Sequence, residues 1–287
     1  MILVTGSTGH LGTATINFLL EKLPASQIAA LARDENKAAD FKAKGIDIRI
    51  GDYKNTNSLN TALTGIDTVL LISSADMDDR FRQHANVIDA AKQNGVKHVI
   101  YTSADVKDIN NSLTGDIADV HARTSDYLRK SELTYTLLNN NLYADVLPQF
   151  IGEKAVETGV YFPAGEGRVP FATRSDMAQA AANVLTTTGH DNKEYTIAAD
   201  VSYSFAEIAQ ILSEISGKEV PYISPTSEEF AQALTAAGVP PFYVGMLSDF
   251  AQAIKADEFN TQNTDLPKLL DREPTPLKAY LQTVYGN

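Results

Sequence analysis

The chain has 287 residues, of which 44% are apolar, so it is long enough for one large or two small domains with a full core, and global disorder is not expected. It has no cysteine, which excludes disulfides, thiolate nucleophiles and cysteine-based metal sites. The net charge is −12, from 24 basic and 36 acidic side chains without a basic cluster, which disfavours direct nucleic-acid binding. Because the sequence has no secretory h-region and no long apolar run, we expect a soluble, cytoplasmic protein without membrane contact. The oligomeric state stays open.

The first twelve residues, MILVTGSTGHLG, form the most informative motif of the chain. An apolar run at 2–4 indicates a buried strand, three glycines follow at intervals of three, and an apolar-periodic segment then indicates a helix. Strand, glycine turn and helix are the context that a dinucleotide-binding fingerprint requires, because backbone amides at the helix N-terminus bind the pyrophosphate. We therefore expect this loop to bind a dinucleotide through Gly6, Thr8, Gly9, His10, Leu11 and Gly12.

Strand-like and helix-like segments alternate through the first half of the chain. This alternation predicts β-α-β units, and therefore an α/β fold with a doubly wound parallel Rossmann sheet in which residues 2–4 form an inner strand. Strands are predicted at 2–4, 27–32, 46–50, 68–72, 96–101 and 135–138, and helices after the glycine loop and at 35–44, 58–63, 81–93 and 120–130.

The pattern changes after residue 140. Turn residues dominate 161–167, and prolines interrupt a mostly helical C-terminal part. We predict an NAD(P)-binding domain at 1–140 and a smaller substrate lobe at 141–287, of which about 172–199 returns to the first domain. The elements predicted in this half are helices at 174–185 and 205–216 and strands at 194–197 and 220–223.

Polar residues that follow the predicted strands are candidate ligand contacts, because open α/β sheets bind ligands at the carboxyl ends of their strands. Arg33 follows the second strand and is suited to a 2′-phosphate, which favours NADP(H). Asp34 beside it keeps NAD(H) as an alternative, and a solvated surface arginine is another. The further candidates, each of which has a turn or capping role as its alternative, are Ser73, Ser74, Thr102, Ser103, Asn139 and Asn140.

Tyr-x-x-x-Lys, the acid–base pair of ordinary short-chain dehydrogenases, does not occur among the 12 tyrosines. Tyr127 comes closest, with Lys130 three residues later, whereas residues four apart share a helix face. This absence counts against carbonyl–alcohol dehydrogenase and sugar-epimerase chemistry. His121 lies on the predicted helix where the lysine would fall, so it is a candidate for the nicotinamide side of the cofactor or a structural histidine. We find no metal-binding spacing and no G-x-S-x-G nucleophile motif.

A set of short stretches resembles the NmrA-like group of atypical short-chain dehydrogenases/reductases, and within it the bacterial quinone and triphenylmethane-dye reductases. The resemblance implies a Rossmann fold, an NADP(H) site with Asp52 near the adenine, and reduction of quinones or dyes; some members of the group act as dinucleotide-binding regulators. Where those reductases carry Arg and Glu, this chain has Asn139 and Ser125. The matching stretches are TGSTGHLG (5–12), PASQI (24–28), GDY (51–53), QHANV (83–87), GVKH (95–98), YTLL (135–138), Asn140, Tyr143 and Gly189–His190.

The function we predict is an NADPH-dependent reductase that passes a hydride to a quinone or another flat, conjugated small-molecule electron acceptor. Such a transfer needs positioning and water exclusion more than proton donation, since the cofactor carries the chemistry. The candidate catalytic residues are His121, Asn140 and Tyr143. Tyr143, Phe150 and Phe171 are candidates to stack on the acceptor, with a place in the core as the alternative. The alternative function is an NADP(H)-sensing regulator without turnover.

Overall fold

The computed structural model describes residues 1–286; Asn287, the last residue of the predicted C-terminal lobe, lies outside the described residues. The described chain forms eleven strands, thirteen α-helices and three short 3-10 segments. The strands are β1 (Ile2–Val4), β2 (Ile28–Ala32), β3 (Asp47–Ile50), β4 (Thr68–Leu71), β5 (His98–Ala104), β6 (Thr134–Asn140), β7 (Val160–Tyr161), β8 (Arg168–Val169), β9 (Lys193–Ile197), β10 (Tyr203–Ser204) and β11 (Tyr222–Ile223). The helices are α1 (His10–Leu20), α2 (Ala39–Ala43), α3 (Thr56–Ala62), α4 (Arg80–Gln93), α5 (Asp116–Arg129), α6 (Leu147–Ile151), α7 (Ala155–Thr158), α8 (Arg174–Thr186), α9 (Phe205–Ser216), α10 (Ser227–Ala236), α11 (Pro241–Lys255), α12 (Leu266–Leu270) and α13 (Leu277–Tyr285).

Seven strands form one sheet in the order β3-β2-β1-β4-β5-β6-β9, and every neighbouring pair is parallel. β1 lies inside the sheet, between β2 and β4, as the sequence predicted. The strand order reverses between β1 and β4, and a crevice for a ligand opens at such a switch point. The glycine loop directly follows β1 and therefore lies at this crevice.

Helices cover both faces of the sheet, which confirms the doubly wound fold. On one face, α1, α8 and α12 bury Ile16, Met177 and Leu269 against the inner strands. On the other face, α3, α4 and α5 bury Leu59, Ile88 and Leu128. Burial on both faces explains why β2 reads as an unbroken apolar segment, since a strand covered on both sides has no solvent face.

A second apolar cluster lies in the C-terminal part of the chain. It is built around stacked aromatic rings, with centroids 4.5 Å apart for Phe162 and Phe205 and 5.1 Å apart for Phe150 and Phe162. α9, α11 and α13 surround it, and two small two-stranded sheets, β7 with β11 and β8 with β10, border it. α8, β9 and α12 pack instead with the large sheet, so the chain passes between the two clusters more than once. The division at residue 140 remains a prediction.

Several boundaries differ from those the sequence predicted. β5 and β6 extend to Ala104 and Asn140, so Thr102, Ser103 and Asn139 lie within paired strands rather than after them. Mutual backbone hydrogen bonding lengthens both strands despite their polar ends, because strand preference depends on pairing context more than on residue type. The predicted helix at 35–44 is instead a 3-10 segment (Glu35–Ala38) followed by the short α2.

Candidate functional site

The glycine loop leaves the N-terminus of α1 open to an anion. Gly6 has φ +56°, which favours glycine, and the amide of Gly9 donates to its carbonyl at 3.0 Å. Gly9 is the N-cap, no side chain caps the helix there, and its first turn has no acidic residue. A Cβ on Gly12 would lie 2.3 Å from the Gly6 carbonyl oxygen, so this glycine permits close packing of helix and loop. The free amides and the helix dipole suit a diphosphate.

Arg33 and Asp34, which follow β2, differ in their hydrogen bonding. The Asp34 carboxylate accepts from the Asn36 amide at 2.9 Å and caps the following 3-10 segment. Arg33 is exposed, lines the cavity beside the glycine loop, and forms no ion pair or side-chain hydrogen bond within residues 1–286. A free guanidinium beside an acid that is already engaged favours a phosphate over a ribose hydroxyl at this position.

A cavity of about 310 Å³ extends from the glycine loop across the carboxyl ends of β1, β2 and β4. Asp52 lies in its wall and also accepts from the amide of Lys54 at 2.9 Å, so it fixes a turn at the cavity edge, and its contact with the adenine stays a prediction. The ammonium of Lys54 lies 2.8 Å from Asp76 and 2.9 Å from Asp78, which links the loops on opposite sides of the cavity. The predicted residues that line the cavity are Gly6, Thr8, Gly9, Arg33, Asp52, Ser73 and Ser74.

The serines after β4 are fixed by a buried histidine. The Ser74 amide donates to His84 Nε2 at 2.9 Å, and His84 Nδ1 lies 3.0 Å from Thr124 Oγ1, whose own hydroxyl donates to the Val120 carbonyl. These partners define a neutral imidazole protonated on Nδ1. Burial lowers the pKa of His84 to about 3, and the nearby Arg80 acts in the same direction. His84 is therefore a neutral support for the cavity wall.

Five side chains from separate segments of the chain lie near one another beside this wall; we call them the Arg80 cluster: Ser73, Arg80, Tyr101, His121 and Tyr143. Arg80 Nη2 donates to Ser73 Oγ at 2.6 Å and lies 3.5 Å from His121 Nε2. Burial lowers the pKa of Arg80, while the phenols of Tyr101 and Tyr143 act in the opposite direction. No carboxylate of residues 1–286 pairs with this guanidinium, and its Nε is buried without a hydrogen-bond partner.

His121, one of the three catalytic candidates of the sequence, is 8% exposed. Its Nδ1 lies 2.9 Å from the Tyr101 hydroxyl, and its Nε2 faces Arg80. Burial, then Arg80 and His84, hold the pKa of His121 well below its usual range. At neutral pH this imidazole is therefore neutral, and it links the Tyr101 hydroxyl to the Arg80 guanidinium within the cluster.

Ser103 and Asn139 do not join the first cavity but line a second one of about 330 Å³, between α5 and the loop after β5. Ser125 lines the same cavity, and its hydroxyl lies 2.9 Å from that of Ser103. Both departures from the reductase pattern, at 125 and 139, therefore face one space. The predicted cofactor residues that line neither cavity are His10, Leu11, Gly12, Thr102, His121 and Asn140. Of these, Thr102 accepts a hydrogen bond from the Ser73 amide at 2.9 Å and so supports the wall of the first cavity.

The aromatic residues expected to stack on an acceptor lie in different parts of the structure. Phe150 and Phe171 are 7% and 1% exposed and pack in the second apolar cluster, which favours the place in the core that the sequence left as the alternative. Aromatic surface of this size is more stable inside a core than at a wet cleft. Tyr143 is partly exposed, follows β6, lies 3.4 Å from Asn140 Nδ2, and carries the Arg174 guanidinium over its ring at 5.0 Å. Tyr143 and Asn140 remain candidates.

Tyr127 lies apart from these groups. Its hydroxyl donates to Asp89 on α4 at 2.7 Å, and this hydrogen bond raises its pKa.

Within residues 1–286 there is no cluster of three metal-ligating side chains, and no helix of that stretch is long and apolar enough to cross a membrane.

Sequence reasoning missed Arg80, Gln83 and His84. A signal for Arg80 was available, since it is the first residue of a helix that follows a polar strand end, and a cation is electrostatically unfavourable at a helix N-terminus. Gln83 and His84 lie in the stretch 83–87 that carries the family resemblance, but the role of His84 gave no local signal, because its partners Ser74 and Thr124 come from distant parts of the chain.

The model of the NmrA-like family matches residues 1–281. The chain belongs to the NmrA-like family. Among family relatives, quinone oxidoreductase 2 of Escherichia coli is 39% identical over 293 aligned positions, covering 100% of this chain and 99% of the relative. The crystal structure of the E. coli NADPH-dependent quinone oxidoreductase with NADPH superposes with a TM-score of 0.92 at 36% identity and full coverage of both chains. Triphenylmethane reductase of Citrobacter sp. with NADP(H) also gives 0.92, at 38% identity, covering 99% of this chain and 100% of the other.

Proposed function

We propose that this NmrA-like protein is an oxidoreductase that transfers a hydride from NADPH to quinones and to other flat, conjugated acceptors such as triphenylmethane dyes. The observation that carries the proposal is the full-length similarity to a quinone oxidoreductase, together with a cavity whose residues suit NADPH. The uncapped N-terminus of α1 and the free guanidinium of Arg33 fit a diphosphate and a 2′-phosphate. When bound, the nicotinamide supplies the two electrons and the hydrogen.

The residues around the cavity suit acceptors that need little acid catalysis. Tyr127 is engaged by Asp89, and His121 is neutral, so neither is arranged as a proton donor. The protein's contribution is then orientation and exclusion of water at the carboxyl ends of the strands. Quinones and cationic dyes accept a hydride without prior protonation, whereas ketones and aldehydes require a proton donor.

The test is to mix the protein and NADPH with a panel of quinones, cationic triphenylmethane dyes and simple ketones, and to follow the nicotinamide absorbance. We expect oxidation of NADPH with quinones and dyes, and none with ketones. The Gly9→Val variant is the matched control, because it should not bind NADPH. Tight NADPH binding without turnover on any quinone or dye would contradict the proposal and favour the NADP(H)-sensing regulator.

A further inference from the structure

Arg80 carries a charge that the protein does not neutralise. Its guanidinium contacts a serine hydroxyl at 2.6 Å and a neutral imidazole at 3.5 Å, and no carboxylate of the described chain pairs with it. A third contact, to Met77 Sδ at 3.7 Å, adds little charge. Arg80 is partly buried, and a cation removed from water without a counter-ion is costly; its Nε, which is buried without a hydrogen-bond partner, adds to that cost.

The surroundings of Arg80 reinforce its positive potential. It is the first residue of α4, so the partial positive charge of a helix N-terminus lies beside it. The other titratable groups of the cluster are the phenols of Tyr101 and Tyr143 and the imidazole of His121, and His84 lies beside it; none of them is negative at neutral pH. The nearest carboxylate along the chain, that of Asp79, caps α4 by accepting from the Arg82 amide, and no ion pair involves Arg80 in the described chain.

We propose that Arg80 stabilises the negative charge that develops on the oxygen of a quinone acceptor during hydride transfer. The inference rests on the proposed function. Ser73, which accepts a hydrogen bond from Arg80, lines the cofactor cavity, and Tyr143, a candidate to contact the acceptor, is near enough to influence the pKa of Arg80. A preorganised cation acts most strongly on charge that appears only in the transition state.

The electron balance gives this role a specific signature. Addition of a hydride to a neutral quinone, with NADPH becoming NADP⁺, gives a hydroquinone monoanion, and a proton from water then completes the hydroquinone. Addition of a hydride to a cationic triphenylmethane dye forms one C–H bond and gives a neutral leuco product. A cation beside the acceptor therefore attracts the quinone transition state but repels the dye both before and during the transfer.

The experiment compares kcat/KM for 1,4-benzoquinone and for malachite green in the wild-type protein and in Arg80→Gln. The value for benzoquinone is expected to fall about 10- to 150-fold, the range for losing a hydrogen bond to a charged group. The value for malachite green is expected to stay unchanged or to rise, because kcat/KM compares the transition state with the free dye. The nicotinamide gains the same charge with both acceptors, so its contribution is common to the two reactions. The fraction of folded enzyme cancels in the ratio of kcat/KM for benzoquinone to kcat/KM for malachite green, so this ratio is informative even if the variant is partly unfolded.

Two further variants and one binding measurement complete the design. Arg80→Lys keeps the charge and should recover a large part of the benzoquinone activity. Arg82→Gln removes an exposed arginine two residues along the same helix and should leave both acceptors unaffected. The dissociation constant of NADPH, measured by titration, should not change in Arg80→Gln.

The role of Arg80 would be overturned if Arg80→Gln lowered kcat/KM equally for both acceptors, or if weaker NADPH binding accounted for the decrease. Either result would favour a contact between Arg80 and the cofactor. A wild-type protein that reduces neither acceptor would overturn the proposed function and this inference together, so the two failures are distinguishable.

Discussion

Removal of the Arg33 guanidinium tests the cofactor preference most directly. Arg33→Ala is expected to weaken NADPH binding and to leave NADH binding nearly unchanged, because only NADPH carries the 2′-phosphate. A hydrogen bond between charged groups contributes about 1.5–3 kcal/mol, which corresponds to roughly 10- to 150-fold in affinity. Arg33 is exposed, so solvent screening places the expected loss near the lower end, about tenfold.

The assay is a titration of both cofactors into wild type and variant, followed by fluorescence or calorimetry at two salt concentrations. Lys37→Ala is the matched control, since it removes an exposed cation from the turn that follows Arg33. Asp34→Ala should not weaken NADH binding, because this carboxylate already accepts from the Asn36 amide. Equal losses of NADPH and NADH affinity in Arg33→Ala, or no loss of either, would refute the assignment of a phosphate contact.

The remaining predictions concern the loop, the mechanism and the pH dependence of stability. Gly9→Val should stay folded, since Gly9 has an extended backbone that valine adopts, yet should not bind NADPH, because the side chain fills the diphosphate space; wild-type affinity in calorimetry would contradict the fingerprint. Tyr127→Phe should change kcat less than about threefold, whereas a loss of ~10²–10⁴-fold with cofactor still bound would restore a Tyr general acid. His84 stays neutral in the folded protein, so stability is lost as pH falls below the unfolded pKa of about 6.5, by about 1.4 kcal/mol per pH unit. His84→Gln should make the loss of unfolding free energy between pH 7.5 and 5.5 shallower in urea titrations; an identical pH slope would show that His84 titrates alike in both states.

The local order of the chain was readable from the sequence because it depends on short-range physics. Apolar runs, glycine spacing and helix periodicity predicted the alternation of strands and helices and the inner position of β1. The glycine loop was also readable, since Gly6, Gly9 and Gly12 act on backbone that is adjacent along the chain. The position of Arg33 at the site could be predicted for the same reason, because it directly follows a strand whose end points to the crevice.

Tertiary structure decided which of the polar residues at the strand ends share a space. Ser73 and Ser74 face the cofactor cavity, while Ser103 and Asn139 face a second cavity, because pairing extends β5 and β6 beyond the predicted ends. The aromatic residues could not be assigned from sequence either, since a ring is equally suited to a core and to a stacking surface until its neighbours are known. For Phe171 those neighbours include Phe205, from a distant helix.

The charge state of a side chain was the property least accessible from sequence. His121 was a candidate for the nicotinamide side of the cofactor by its position on the helix, and only the folded protein shows that it lies beside Arg80 and out of solvent, which keeps it neutral. The sequence shows Arg80 only as a cation at the start of a helix, and the tertiary structure decides that its side-chain partners are Ser73 and His121 rather than a carboxylate. The sequence thus determined the fold and the cofactor loop, whereas burial and long-range neighbours determined the electrostatics of the reacting side.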